Sequence, residues 1–291
     1  TTLDPWVIGM SQCNRGEPWR VQMDADTEAA AARHDSVELI LKDAQNQSLT
    51  QRSQVEEFIE QGIDLLIISP KEAAPLTQPV KMAYDAGIHV IVLDRAVQGD
   101  AYTTFIGADN VLIGRAAGKW IAKTLRNKGN IVELKGLMTS TPGQDRHRGF
   151  REGLGDHADL KVVFEGEMQW LEPNARKEME SALATNPKID LVFAHNDPGA
   201  HGAWLAAKAA DRHEEIKFVG IDALPHEGVQ YVRQNILDAT FLYPTGGDEA
   251  VELATRILRG ESVEKKIVLP TAIFTRENVE AGGETLKNGA E

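Results

Sequence analysis

The feature that most constrains this 291-residue chain is an alternation. Short, nearly unbroken apolar runs recur between longer amphipathic stretches. Residues 6–10, 37–41, 64–69 and 89–93 have strand character, and helical patterns fill 20–33, 48–61 and 75–86 between them. Ser48 reads as a helix cap, and Gly62 and Gly87 as helix stops. Strands that are apolar on both faces are buried on both faces. The pattern is therefore repeated β-α-β, a parallel sheet covered by helices on either side. It continues to the end. Helices at 109–126, 143–154, 172–185, 198–210, 226–234 and 246–258 alternate with strands at 130–134, 161–165, 189–194, 216–221 and 238–243. Two short strands, 266–269 and 272–275, precede a polar tail with three glycines.

The length favours two domains over one. No apolar run approaches the roughly 18 residues that span a bilayer. With 44 acidic and 31 basic residues the net charge is -13. That argues against nucleic acid as a partner, because phosphate binding needs a basic surface. Cys13 is the only cysteine, so no internal disulfide forms, and it reads as a small buried residue near a strand end. The chain opens Thr1-Thr2-Leu3-Asp4-Pro5 and enters its first strand at once.

In open α/β sheets, ligands bind at the carboxyl ends of the strands. The residues just after each strand are therefore the candidates. They are Ser11 with Trp19 and Arg20, then Asp94 and Arg95, Arg146, Trp170, Asn196, Asp222 and Tyr243. Arginines, carboxylates and an amide offer fixed donors and acceptors, and the tryptophans offer flat apolar faces. A sugar needs both, since its hydroxyls donate and accept and its C–H faces stack on rings. Each residue also has a plainer reading. Asp94-Arg95 makes a local ion pair, Asn196 or Asp197 caps the helix opened by Pro198, and Asp222 caps the helix after Leu224. Arg146 is a solvated helix residue, and Trp19 and Trp170 are core. Their joint occurrence after strands favours the ligand reading.

Catalysis is not expected. Gly9-Met10-Ser11-Gln12-Cys13 fails the nucleophile elbow at its last position, and there is no phosphate-binding glycine loop or dinucleotide fingerprint. No cofactor is expected. A metal at His195, Asp197 and His201 is not expected either, because Asp197 opens the helix carrying His201 while His195 precedes it.

At these residues the sequence resembles the ribose/galactose class of periplasmic binding proteins. The shared pieces are Asp94-Arg95, Ala108-Asp109-Asn110, Val132-Glu133-Leu134-Lys135-Gly136 and Asp145-Arg146 before Gly149-Phe150. Ala194-His195-Asn196-Asp197 before Gly202-Ala203, and Gly220-Ile221-Asp222, complete the set. Ser11-Gln12 with Trp19-Arg20, and the run 194–197, look most like the galactofuranose-binding branch. The resemblance implies ligand contacts by Asp94, Arg95, Arg146, Asn196 and Asp222, with Trp19 and Trp170 at stacking positions. Tyr243 stands where a ribose binder has glutamine, and Ile221 replaces an aromatic, which argues against ribose itself. The resemblance further implies two doubly wound lobes joined by a three-crossover hinge. Residues 1–108 plus 245–272 would form the first, and 109–244 plus 273–291 the second. It implies a monomeric solute-binding protein in the periplasm, its signal peptide removed, closing on a monosaccharide and serving a membrane ABC transporter permease. A ligand-sensing domain of a regulator or receptor shares this fold and is the alternative.

Overall fold

The structure, a computed structural model, describes residues 4–287. In chain order its elements are β1 (Trp6–Gln12), α1 (Pro18–Ala31), β2 (Val37–Asp43), α2 (Ser48–Gln61), β3 (Leu65–Ser69), α3 (Ala73–Asp85), β4 (His89–Leu93) and β5 (Thr104–Ala108). There follow α4 (Asn110–Thr124), β6 (Gly129–Lys135), α5 (Thr141–Leu154), β7 (Leu160–Glu167), α6 (Glu172–Thr185), β8 (Leu191–Ala194), α7 (Asp197–Ala209) and β9 (Lys217–Asp222). The last are α8 (Gly228–Arg233), β10 (Ala239–Leu242), α9 (Gly247–Leu258), β11 (Lys266–Leu269), β12 (Ala272–Thr275) and β13 (Glu284–Thr285). Among the described residues no helix is long and apolar enough to cross a membrane.

The chain divides into two compact units. The first holds the described residues up to Ala108, with Thr139–Thr141 and Thr245–Leu269; the second holds Asp109–Met138, Pro142–Pro244 and the described residues from Pro270 on. Residues 270–272, expected with the first lobe, thus fall in the second unit, and Thr139–Thr141 fall in the first. Residues 1–3 and 288–291, assigned to the two lobes from the sequence, and with them the third tail glycine, Gly289, lie outside the described residues.

The first unit is a six-stranded sheet in the order β11-β5-β4-β3-β1-β2, with every pairing parallel. β3 is buried at all five residues, as a central strand between helical layers must be. Val55 and Phe58 of α2 pack with Leu66, Ile68, Val90 and Val92 over one face. Gly9 in β1 is what lets α2 sit that close: a Cβ there would lie 2.9 Å from the Phe58 ring and 2.7 Å from Ile63. The helix begins one residue earlier than a Ser48 cap requires. Gln47 is the N-cap, without a side-chain bond, and the Ser48 hydroxyl goes instead to Glu72. Strand β5 was not legible in the sequence. Its only large apolar residues are Phe105 and Ile106, and it is a strand because β4 and the distant β11 flank it.

The second unit is a seven-stranded sheet in the order β13-β12-β10-β9-β8-β6-β7. Its β7 to β10 block is parallel, but β12 runs antiparallel to β10, and β13 antiparallel to β12. The pair β12–β13 has no crossover helix between its strands, and without one only antiparallel pairing is reachable. Helices α4 and α5 meet through glycines. A Cβ on Gly114 or Gly118 would lie 2.4 Å from the Arg146 or Phe150 carbonyl oxygen. One on Gly149 or Gly153 would lie 2.2 or 2.1 Å from the Val111 or Arg115 oxygen. Two Gly-x-x-x-Gly faces thus bring the backbones into contact, which draws the second turn of α5, and with it Arg146, onto Asn110 of α4.

Candidate functional site

Each unit carries one cluster of buried polar and aromatic side chains at the carboxyl ends of its parallel strands. In the first unit Arg20 of α1 is 3% exposed, and its Nη2 pairs with Asp94 Oδ2 at 2.7 Å. Its Nη1 donates to Ser69 Oγ at 2.7 Å and to Gln12 Oε1 at 3.4 Å, and Ser69 Oγ donates to the same Asp94 oxygen at 3.3 Å. Gln12 is fixed in turn by donating to Asp24 at 2.8 Å. The Arg20 guanidinium lies 4.8 Å from the centre of the Trp19 ring. Burial alone would lower its pKa, but Cys13, Asp94 and Glu17 around it raise it further than that. Arg20 therefore stays a cation at any working pH. Arg95 Nε lies 3.8 Å from Asp94, and its Nη1 donates to the Lys71 carbonyl at 2.9 Å.

The second cluster centres on Arg146, also 3% exposed at its side chain. Its Nε donates to Asn110 Oδ1 at 2.9 Å and its Nη1 to the His195 carbonyl at 2.5 Å. The guanidinium lies 5.3 Å from the Trp170 ring centre and 4.8 Å from that of Tyr243, and 3.9 Å from Asp222 Oδ1. Buried cation–ring contacts of this kind are worth about 2 kcal/mol each. Asn196 caps α7 by accepting from Gly199 N–H at 2.9 Å, and its amide donates to the Trp170 carbonyl at 2.9 Å. Pro198 follows in the first turn, as the sequence suggested.

Three of these side chains sit on backbone in the left-handed region, Asp94 at φ 68°, Trp170 at 71° and Asp222 at 127°. Non-glycine residues rarely adopt it, and such strain concentrates where side chains must be aimed.

The candidates read from the sequence gather as follows. Arg20, Asp94 and Arg95 form the first cluster with Trp19 beside them; Arg146, Trp170, Asn196, Asp222 and Tyr243 form the second. Ser11 stands apart, since its hydroxyl donates to Gln54 at 2.9 Å, beneath the strand end. Asp222 does not cap the next helix, whose N-cap is Glu227. Sequence reading missed Ser69 as a site residue, although it is the last residue of a strand and the same rule reaches it. It missed the brace of Asn110 as well, which lies on a helix start and not on a strand end.

His195, Asp197 and His201 have separate partners. His195 Nε2 lies 3.0 Å from Glu133, His201 Nδ1 lies 2.9 Å from Glu172, and Asp197 accepts from Thr240 at 2.6 Å and from Ala223 N–H at 2.8 Å. Among the described residues one set could hold a metal, Glu133, His147 and Glu165, with ligand atoms within 4.8 Å of one another. Lys135 and Arg151 already pair with Glu165, and Arg151 lies 3.4 Å from Glu133, so the negative charge a cation would need is neutralised.

These strand-end clusters on two α/β units define a class, and comparison with known proteins agrees. Residues 8–262 match the periplasmic binding protein domain, and the chain belongs to that family. It is 30% identical over 274 residues to the ribose import binding protein RbsB of Bacillus subtilis (strain 168), covering 94% of this chain and 88% of that protein. It is 31% identical over 232 residues to the galactofuranose-binding protein YtfQ of Escherichia coli (strain K12), covering 76% and 72%. Among solved structures it is similar to the fructose-binding periplasmic domain of a hybrid two-component system. There the TM-score is 0.92 and the identity 43%, over 95% of this chain and 93% of that one. The α/β class with two parallel-dominated sheets is that of the periplasmic binding protein type I fold, as read from the sequence.

Proposed function

We propose that this chain binds a monosaccharide, with no catalytic step, through residues of the strand-end clusters. The observation that carries the reading is the repeated design. Each unit presents a buried arginine stacked on aromatic rings and set against a carboxylate at a strand end. A guanidinium and a carboxylate fix the directions of sugar hydroxyls at about 1.5–3 kcal/mol per charged hydrogen bond. Trp19 and Trp170 are the stacking faces, Tyr243 lines the second cluster, and Arg95 and Asn196 hold neighbouring groups in place. Ribose import and galactofuranose-binding relatives support a sugar as the class of ligand. The import role printed for the ribose relative, and the ABC transporter solute-binding proteins among similar solved structures, support a periplasmic protein that delivers its ligand to an ABC permease, and a monomer is part of the proposal.

A thermal-shift and calorimetric panel of pentoses, hexoses and polyols, with D-fructose, D-ribose and D-galactose in it, tests the binding. A bound sugar at about 100 times its dissociation constant adds about 2.7 kcal/mol of stability. A panel in which no sugar shifts the protein overturns the reading.

A second reading of the output rests on one observation. The 43% identity to a fructose-binding domain of a two-component system exceeds that to either carrier named above. In that reading the chain senses the sugar and does not carry it. A coding sequence that continues past Glu291 into a membrane helix and a kinase supports sensing; a permease operon supports import.

A further inference from the structure

Behind the second cluster lies a set of groups that need not meet the ligand. Glu133, in β6, is wholly buried. Its Oε1 lies 2.8 Å from His147 Nδ1 and 3.0 Å from His195 Nε2. On the far side of the His195 ring, the Gly136 N–H donates to Nδ1 at 3.1 Å. A ring nitrogen that accepts a hydrogen bond holds no proton. The imidazole is therefore neutral, with its one proton on Nε2 and donated to Glu133.

Electrostatics agree with that assignment. Burial holds the His195 pKa below the usual histidine value, against the pull of Glu133 and together with the push of Arg146 and His147. Burial pushes the Glu133 carboxyl up, but hydrogen bonds from His147 and His195 outweigh it and hold the group at about 2.

The ring joins two strand ends, and the second cluster hangs from both. On the β8 side, the His195 carbonyl receives Arg146, and the next residue, Asn196, binds the Trp170 carbonyl. On the β6 side, Gly136 forms the floor under Trp170: a Cβ there would fall 2.2 Å from the ring. The His195 N–H donates to the Leu134 carbonyl at 2.9 Å, which fixes its own backbone to β6. The imidazole thus bridges the residue whose carbonyl anchors Arg146 and the glycine that supports Trp170.

We infer that His195, locked as the Nε2-protonated neutral tautomer between Gly136 and Glu133, is a positioning residue that aims Arg146 and Trp170 without touching the ligand. This rests on the sugar-binding role proposed for Arg146 and Trp170. The tautomer and the aiming are properties of the unliganded protein, so they are tested without a sugar.

The test has two arms. In the first, the unliganded protein labelled with nitrogen-15 is examined at neutral pH. The expected result is an unprotonated Nδ1 and a protonated Nε2 for His195. His195→Phe, which keeps a ring but neither polar atom, moves the Arg146 Nε–H and Trp170 indole resonances. His195→Gln, which keeps one acceptor and one donor on a planar group, returns them toward wild type. A protonated Nδ1, or unmoved resonances in His195→Phe, overturns the inference. The Gln variant guards against a Phe variant that fails to fold.

The second arm uses calorimetry with D-fructose, D-ribose and D-galactose. His195→Phe binds whichever sugar the wild type takes about tenfold more weakly, the effect of one buried polar group left without its partner. His195→Gln recovers most of that affinity, and equal affinity in all three proteins also overturns the inference. If the wild type binds none of the three, the sugar reading suffers while the first arm still decides the role of His195.

Discussion

Arg20 and Asp94 offer the sharpest separation of stability from binding. Their side chains are 3% and 4% exposed and meet at 2.7 Å. Arg20→Met removes the cation and leaves the Asp94 carboxylate buried, with the Ser69 hydroxyl at 3.3 Å and Arg95 at 3.8 Å. Stranding one member of a buried pair costs about 3–5 kcal/mol. The partner substitution should be Asp94→Asn, because residue 94 sits at φ 68° and asparagine tolerates that region where leucine does not. In the double variant neither charge remains and the amide still accepts from Ser69. Its stability should return to within about 1–2 kcal/mol of wild type, since replacing both members of a buried pair is near neutral. Sugar binding should not return, since the donors and acceptors proposed to hold the ligand are gone. Two compact units need not unfold in one transition, so urea midpoints alone are ambiguous. Amide exchange in β1 and β3 reports on the unit that carries the pair. A double variant as unstable as Arg20→Met would refute the energetic reasoning. A double variant that binds sugar like wild type would remove both residues from the site.

Two further outcomes follow from the second unit. Gly149→Ala places a Cβ 2.2 Å from the Val111 carbonyl oxygen, a rigid backbone atom, so α4 and α5 must part. Thermal unfolding should show a loss of about 1–3 kcal/mol or more, and weaker sugar binding as Arg146 leaves Asn110; an unchanged melting point would sink this account of the helix contact. Burial raises the pKa of Asp197 well above the ordinary carboxylate value, the Thr240 hydroxyl opposes this, and the charge of Glu227 adds to it. A raised folded value means stability present below the unfolded pKa near 3.8 and lost as pH rises through the folded one. Asp197→Asn, with an oxygen for Ala223 N–H and an amide for Thr240, should flatten that decline, and urea midpoints across pH that fall as steeply as in wild type would contradict it.

Much of the architecture was legible because burial writes itself into short apolar runs. The helices 48–61 and 172–185 and the strands 89–93, 266–269 and 272–275 lie where the pattern put them. Where local signal was thin the reading failed. Thr104–Ala108 carries two large apolar residues, and its strand character comes from neighbours on either side. The direction of β12 is set by pairing and not by composition. At the candidate site, the rule that ligands meet strand ends picked out Arg20, Arg95 and Arg146, and the three residues on strained backbone, which the structure gathers into the two clusters. It could not see how side chains are braced. Asn110 reaches Arg146 only because glycines on two helices let them touch. Glu133 lies inside a strand and faces a histidine more than sixty residues away in sequence, and a reading of strand ends passes over it.

The strained residues explain why bracing matters as much as residue type. Backbone at positive φ costs on the order of 1–3 kcal/mol for a non-glycine residue, and it relaxes unless something holds it. At Asp94 the N–H donates to Ile106 at 2.8 Å while the carboxylate is pinned by Arg20. At Trp170 the carbonyl is held by Asn196 and the ring lies on Gly136. At Asp222 the carbonyl accepts from Tyr243 N–H at 3.2 Å, which ties the strained turn to the ring that stacks on Arg146. In each case the bond that resists relaxation also joins two candidate contact residues or one of them to its support. Strain that is sustained by the same bonds that aim the side chains is what a preorganised binding surface requires, because the ordering cost is met in folding and not at the moment the ligand arrives.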